Sequence, residues 1–253
     1  MALQHTTDPV QLSLAASKSL SKICSFSNSF SAIICPSRAA AYVTALAAVR
    51  LRQDPLSINP QVSFQSPNPP VVLHDTCCQS GSPKLCSALI GACNWNLGTV
   101  TSPMDKDMLL MAVASNRVTA AFHRPYSYPK NSSFLQLHTL CSVCHSRGSD
   151  IAVIVDIGDM PVSERSLNRI TSSFQEMLMK GADILMLPDT EQFQGPPSTC
   201  VLVGKAPLLG SMAQQLPLLQ SQLGFPLLST AYDIVGTVVA FKTLQVNTFR
   251  SGN

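Results

Sequence analysis

This 253-residue sequence predicts an α/β architecture built on a mostly parallel sheet. Three observations carry the prediction. Short β-branched runs alternate with helical patterns along most of the chain, the mark of strands joined by crossover helices. One run, Ile-Ala-Val-Ile-Val at 151–155, is apolar at every position, as a strand covered on both faces requires. With 45% apolar and 12% charged residues, the chain can bury a substantial core without metals or disulfides.

The elements follow in order. Asp8-Pro9 reads as an N-cap followed by proline at the first helical position, opening a helix over 10–24. Residues 30–35 form a short apolar strand. Pro36-Ser37-Arg38 then turns the chain into a helix over 39–52, rich in Ala and Leu. Residues 54–70 carry five prolines and read as a loop. A strand is expected at 71–74, a helix at 83–93, a strand at 97–101 and a helix at 104–114. Another strand, 118–122, ends at His123, and residues 124–132 read as a loop.

Leu135, Leu137, Leu140 and Cys144 fall close to helical spacing, with Gly148 as a stop. After the strand at 151–155 come a helix at 163–179, strands at 184–187 and 200–203, and helices near 206–220 and 227–244. We divide the chain into an N-terminal helical segment (1–28), a large α/β domain (29–225) and a C-terminal helix and tail (226–253).

Several function classes are disfavoured. The net charge is +3 with no Lys/Arg cluster, so the electrostatic case for nucleic acid is weak. Nine cysteines, an odd number in a long chain, point to reduced, buried thiols of a cytoplasmic protein. No run of about 18 apolar residues predicts a membrane span. The first 50 residues hold one acid, Asp8, with four basic and many Ser residues, a composition also compatible with an organellar transit peptide. The sequon Asn131-Ser132-Ser133 has no secretory signal before it.

Ligands of such sheets bind beyond the carboxyl ends of the strands. That rule selects 36–38, 74–77, His123-Arg124, 156–159 and 188–195. Three constellations stand out. Cys141, Cys144 and His145 spell C-x-x-C-H, a c-type haem or metal signature. Haem attachment needs export and zinc needs a fourth ligand, and neither is evident; the competing reading is core cysteines on a helix. Asp156 closes the apolar strand, where a carboxylate is costly to bury unpaired. It is either a cap or surface acid, or an acid placed to hold a protonated ring nitrogen or a metal. Pro36-Ser37-Arg38 offers a hydroxyl, a guanidinium and free N–H groups at a helix start, which makes either an anion site or an ordinary N-cap.

Three stretches together resemble one family. "FQEMLMKGADILMLPDTEQFQGPPSTCVLVGK" (174–205) resembles the active-site region of bacterial selenocysteine synthase, the L-seryl-tRNA(Sec) selenium transferase, and of its relatives in the glucosaminate-6-phosphate ammonia-lyase group. Gly181-Ala182-Asp183, Gly195-Pro196 and Gly204-Lys205 stand in register. "SRGSDIAVIVDIGD" (146–159) resembles the segment whose terminal acid, here Asp156, pairs with a pyridine nitrogen. "SFSAIICPSRAAAYVTALAAV" (29–49) resembles the strand, turn and helix that hold a cofactor phosphate.

The resemblance covers roughly 22–245 and implies the large domain of a fold-type-I pyridoxal-phosphate (PLP) enzyme, an aspartate-aminotransferase-like three-layer sandwich. It implies PLP as cofactor, with Ser37, Arg38, Cys77, His123 and Asp156 around it, and a dimeric assembly. It also implies a Schiff-base lysine, and that position falls on Glu191; residues 187–199 contain no lysine. A carboxylate cannot form the imine. The reading that follows is a catalytically inactive member acting as a scaffold or regulatory partner, paired with itself or with an active relative. The alternatives are an active PLP-dependent transferase or lyase on an amino-acid or seryl-tRNA substrate, and a metal or redox role for the Cys/His set.

Overall fold

The computed structural model describes residues 8–24, 29–53, 71–75, 96–100, 106–115, 118–125, 136–146, 151–158, 160 and 167–250. In chain order the elements are α1 (Pro9–Ile23), β1 (Phe30–Cys35), α2 (Arg38–Gln53), β2 (Val71–Asp75), β3 (Asn96–Val100), α3 (Lys106–Ser115), β4 (Val118–His123) and α4 (Leu137–Ser146). They continue as β5 (Ala152–Asp156), α5 (Leu167–Met179), β6 (Ile184–Met186), a 3₁₀ turn (Thr190–Phe193), β7 (Cys200–Lys205), α6 (Ala206–Leu209), α7 (Met212–Leu223) and α8 (Ala231–Arg250).

The strands form one sheet in the order β1-β7-β6-β5-β4-β2-β3. β3, β2, β4, β5 and β6 pair in parallel. β7 runs antiparallel to both β6 and β1. A chain that completes β6 at Met186 and enters β7 at Cys200 needs only a short loop, which joins antiparallel neighbours and replaces a crossover helix. That loop therefore stands at the same sheet edge as the ends of β1 and β5.

Side-chain alternation divides the core between two faces. Val153, Val155, Leu185, Val201 and Val203 join Leu20, Leu109, Leu140, Phe174 and Phe241 on one face, beneath α1, α3, α4, α5 and α8. Ala152, Ile154, Ile184, Met186 and Leu202 join Ala41, Ala45, Leu209 and Leu216 on the other, beneath α2, α6 and α7. This is the expected α/β/α sandwich, and Ala152–Asp156 is buried at every position. The small residues of α2, Ala40, Ala41, Ala45 and Ala48, are fully buried, so this helix lies close against the sheet.

Asp8 caps α1 as expected, its Oδ1 accepting from Val10 N at 2.9 Å. The helix expected near 206–220 is two helices, broken at Gly210-Ser211. The last helix starts at Ala231 rather than 227, because Thr230 and Asp233 cap it reciprocally: each side chain accepts from the other's backbone N–H. The helix expected at 83–93, the Asn131 sequon and the loop at 54–70 lie outside the described residues.

Candidate functional site

Asp156 ends β5 with its carboxylate fully buried, and three hydrogen-bond donors and a second guanidinium converge on it. Arg38 Nη1 donates to Oδ1 at 2.5 Å. Gly158 N donates to the same oxygen at 2.8 Å. Tyr42 donates its hydroxyl to Oδ2. Arg124 Nε lies 3.4 Å from Oδ2 as an ion pair, and its side chain is almost fully buried. An ionised carboxylate offers about four lone-pair sites; here three are taken by hydrogen bonds, and Arg124 adds its charge.

Local sequence explains the convergence. Ser37 caps α2, its hydroxyl accepting from Ala40 N at 3.0 Å. Arg38 and Tyr42 stand one turn apart on that helix and so share a face. The Tyr42 ring packs against Phe122 of β4 with centroids 5.2 Å apart, which aims its hydroxyl at the sheet edge. Arg124 follows directly on β4.

The guanidinium of Arg38 spans the edge. Besides Asp156, its Nη2 donates to Leu187 O at 3.0 Å and to Asp189 Oδ1 at 2.9 Å, both in the β6–β7 loop. Burial works against its charge, but Cys200, Asp156, Asp189 and Tyr42 outweigh that and raise its pKa above the ordinary value. Asp189 is shifted upward by burial, which the pull of Arg38 only partly offsets. The loop has its own internal bonds: Thr190 and Thr199 both donate their hydroxyls to Pro196 O at 2.8 Å. Glu191 stands exposed on its 3₁₀ turn.

The structure thus brings Arg38 and Asp156 together and adds Tyr42, Arg124 and Asp189. Ser37 serves as the helix cap. His123 lines a different concavity of about 450 Å³, with Gln136, His138, Glu176 and Lys180. Cys77 lies outside the described residues. Tyr42 was detectable as the one aromatic on an Ala-rich helix, a turn beyond Arg38. Asp189 carried no sequence signal beyond its place in the loop.

The two cysteines of C-x-x-C-H are core residues of α4, and His145 is half-buried beside them. Cys141 and Cys144 are buried, and burial pushes both thiols up to about 12. His145 Nε2 lies 3.0 Å from Asp183 Oδ2. Asp183 also accepts from Val153 N at 2.8 Å and from Lys205 Nζ at 2.7 Å. This cluster lies at the amino end of β6, opposite Asp156. Among the described residues no group of three His, Cys, Asp or Glu could hold a metal, and no helix is long and apolar enough to cross a membrane.

The side chains around Asp156 do not fit a pyridine ring in the role the resemblance gives that acid. A protonated ring nitrogen needs a carboxylate oxygen with an open side. Both oxygens already bind donors, and the cluster of Arg38, Arg124, Asp156 and Asp189 balances two positive against two negative groups. A further cation there would compete with two guanidinium groups for the same carboxylate.

No family model and no curated protein matches the sequence. Solved structures with the same fold do exist. The chain is similar to D-glucosaminate-6-phosphate ammonia-lyase with a TM-score of 0.73 at 14% identity, covering 100% of this chain and 61% of that one. Cystathionine gamma synthase from Xanthomonas oryzae pv. oryzae, in complex with aminoacrylate and cysteine, aligns with a TM-score of 0.62 at 16% identity, over 94% of this chain and 52% of that one. A protein assigned as an O-acetylhomoserine (thiol)-lyase from Campylobacter jejuni, carrying N′-pyridoxyl-lysine-5′-monophosphate at one position of its own chain, gives 0.63 at 13% identity, over 94% and 58%. The chain spans little more than half the length of these proteins, and what it shares with them is the PLP-transferase fold.

Proposed function

We propose that this chain is a catalytically inactive member of the PLP-transferase fold, related to the selenocysteine synthase group, which acts as a scaffold or regulatory partner. It pairs with itself or with an active relative. The observation that carries the reading is the β6–β7 loop. It holds no lysine between Leu187 and Thr199, and the lysine position of the resemblance falls on exposed Glu191. The two nearest lysines in sequence are engaged elsewhere. Lys180 pairs with Glu176 at 2.5 Å, and Lys205 with Asp183 at the far end of the strands. An amine that exchanges the cofactor aldehyde for a substrate is the part PLP chemistry cannot do without.

The test is an absorbance titration of the purified protein with pyridoxal phosphate, followed by borohydride reduction and peptide mass mapping. The reading expects no discrete band and only scattered labelling of surface lysines. A single reduced adduct on one lysine overturns it and names the replacement amine.

A further inference from the structure

We infer that Arg38 is a built-in replacement for the cationic ring of the cofactor: its guanidinium occupies the counter-ion position of Asp156 and closes that site to planar cations from solution. The inference rests on the proposed loss of Schiff-base chemistry but reaches a separate property, non-covalent binding.

Three observations converge. A guanidinium and a pyridinium are both flat, delocalised cations that donate N–H bonds in their plane, so one can stand where the other would pair with a carboxylate. Arg38 does so from the turn after β1, with Nη1 on Asp156 Oδ1 at 2.5 Å. The remaining edge of the guanidinium is tied to Leu187 O and Asp189 Oδ1 in the β6–β7 loop. One side chain thereby links the start of α2 to the ends of β5 and β6.

The second observation is Gly158. A Cβ built there would overlap the Arg38 guanidinium. Its backbone N–H also donates to the same oxygen that Arg38 holds. The backbone after β5 therefore approaches the guanidinium as closely as it could approach a flat ligand, and only glycine leaves the room.

The third is charge. Two guanidinium groups already face Asp156 and Asp189, with Arg38 17% exposed and Asp156 fully buried. An external cation would have to displace Arg38 Nη1 or the Tyr42 hydroxyl to reach Asp156.

The experiment uses two probes on the full chain. The first is pyridoxamine 5′-phosphate, which carries the ring and phosphate but needs no lysine; its binding to the wild-type protein is followed by calorimetry. No binding is expected. Binding that is lost in Asp156→Asn overturns the inference while leaving the lysine-less reading intact. A lysine adduct with pyridoxal phosphate, in contrast, breaks the functional reading first.

The second probe is the guanidinium ion at millimolar concentration, against sodium chloride of equal ionic strength. In Arg38→Ala it should raise the melting temperature saturably, by roughly 2–4 °C. It should only lower that of the wild type and of Arg38→Ala/Asp156→Asn, as a denaturant does. Folded Arg38→Ala that shows no saturable gain overturns the inference. Should Arg38→Ala fail to fold, the wild-type calorimetry decides alone.

Discussion

Arg38 and Asp156 lie 118 residues apart in sequence and meet at 2.5 Å, Nη1 to Oδ1, at the carboxyl edge of the sheet. The pair joins the turn after β1 to the end of β5, strands separated in the sheet by β7 and β6. Arg38 crosses both by bonding to the loop that connects them. It is a structural bridge across this edge of the sheet.

Removing either partner should be costly, and unequally so. In Arg38→Met, Asp156 keeps Tyr42, Arg124 and the Gly158 amide, so the loss should be about 2–3 kcal/mol. Asp156→Asn leaves two arginines without their shared charge. It also turns an amide N–H₂ toward donors that need an acceptor, so it should cost about 3–5 kcal/mol. Denaturant unfolding of both variants checks the order. Equal or negligible losses would remove the bridge from the account.

The legibility of the sequence divides along the same line. The apolar run at 151–155, the Ala-rich helix and the β-branched runs declared themselves, because burial on two faces leaves little choice of residue. The position of Asp156 was also readable, as a costly acid closing an apolar strand. Its pairing was not: Arg38, Arg124 and the 188–195 loop were each selected by the strand-end rule, with nothing to join them to it. Tyr42, Arg124 and Asp189 reach it from α2, the end of β4 and the β6–β7 loop, and only the strand order makes those elements neighbours. For Cys141, Cys144 and His145 the spacing suits a metal as well as a helix core, and α4 turns both thiols into the core and the imidazole toward Asp183.

Gly158→Ala should destabilise through Arg38 alone. The added methyl meets a guanidinium held by three partners, so it cannot be relieved by a simple rotamer change. A cost of about 1–3 kcal/mol is expected in the wild type and little in an Arg38→Ala background. A double-mutant cycle by thermal unfolding measures the difference. Additive losses would show that the glycine is required by the backbone and not by the guanidinium.

The described cysteines should resist thiol reagents until the chain unfolds. Burial pushes Cys24, Cys141, Cys144 and Cys200 up to about 12, and Cys35 higher still. With so little thiolate at mildly alkaline pH, and no access, labelling should be at least ~10³-fold slower than for a free cysteine. Pulse alkylation with peptide mass mapping, native against denatured, reads each site. Rapid native labelling of Cys141 or Cys144 would reopen a redox role for α4.

Asp183 sets an acid limit on stability. Burial raises its pKa, but Lys205, the Val153 amide and His145 outweigh burial and hold it below the ordinary 3.8. The folded state thus binds this proton less readily than the unfolded chain. Its contribution is fully present above the unfolded value, about pH 4, and is lost as pH falls through the lower folded value. Asp183→Asn should therefore cost about 1–3 kcal/mol at neutral pH, at the modest end of buried pairs because the Lys205 side chain is 45% exposed. The gap between wild type and variant should close as pH falls below about 4. Urea unfolding across that range checks it, and a gap that widens on acidification would reverse the sign assigned to this carboxylate.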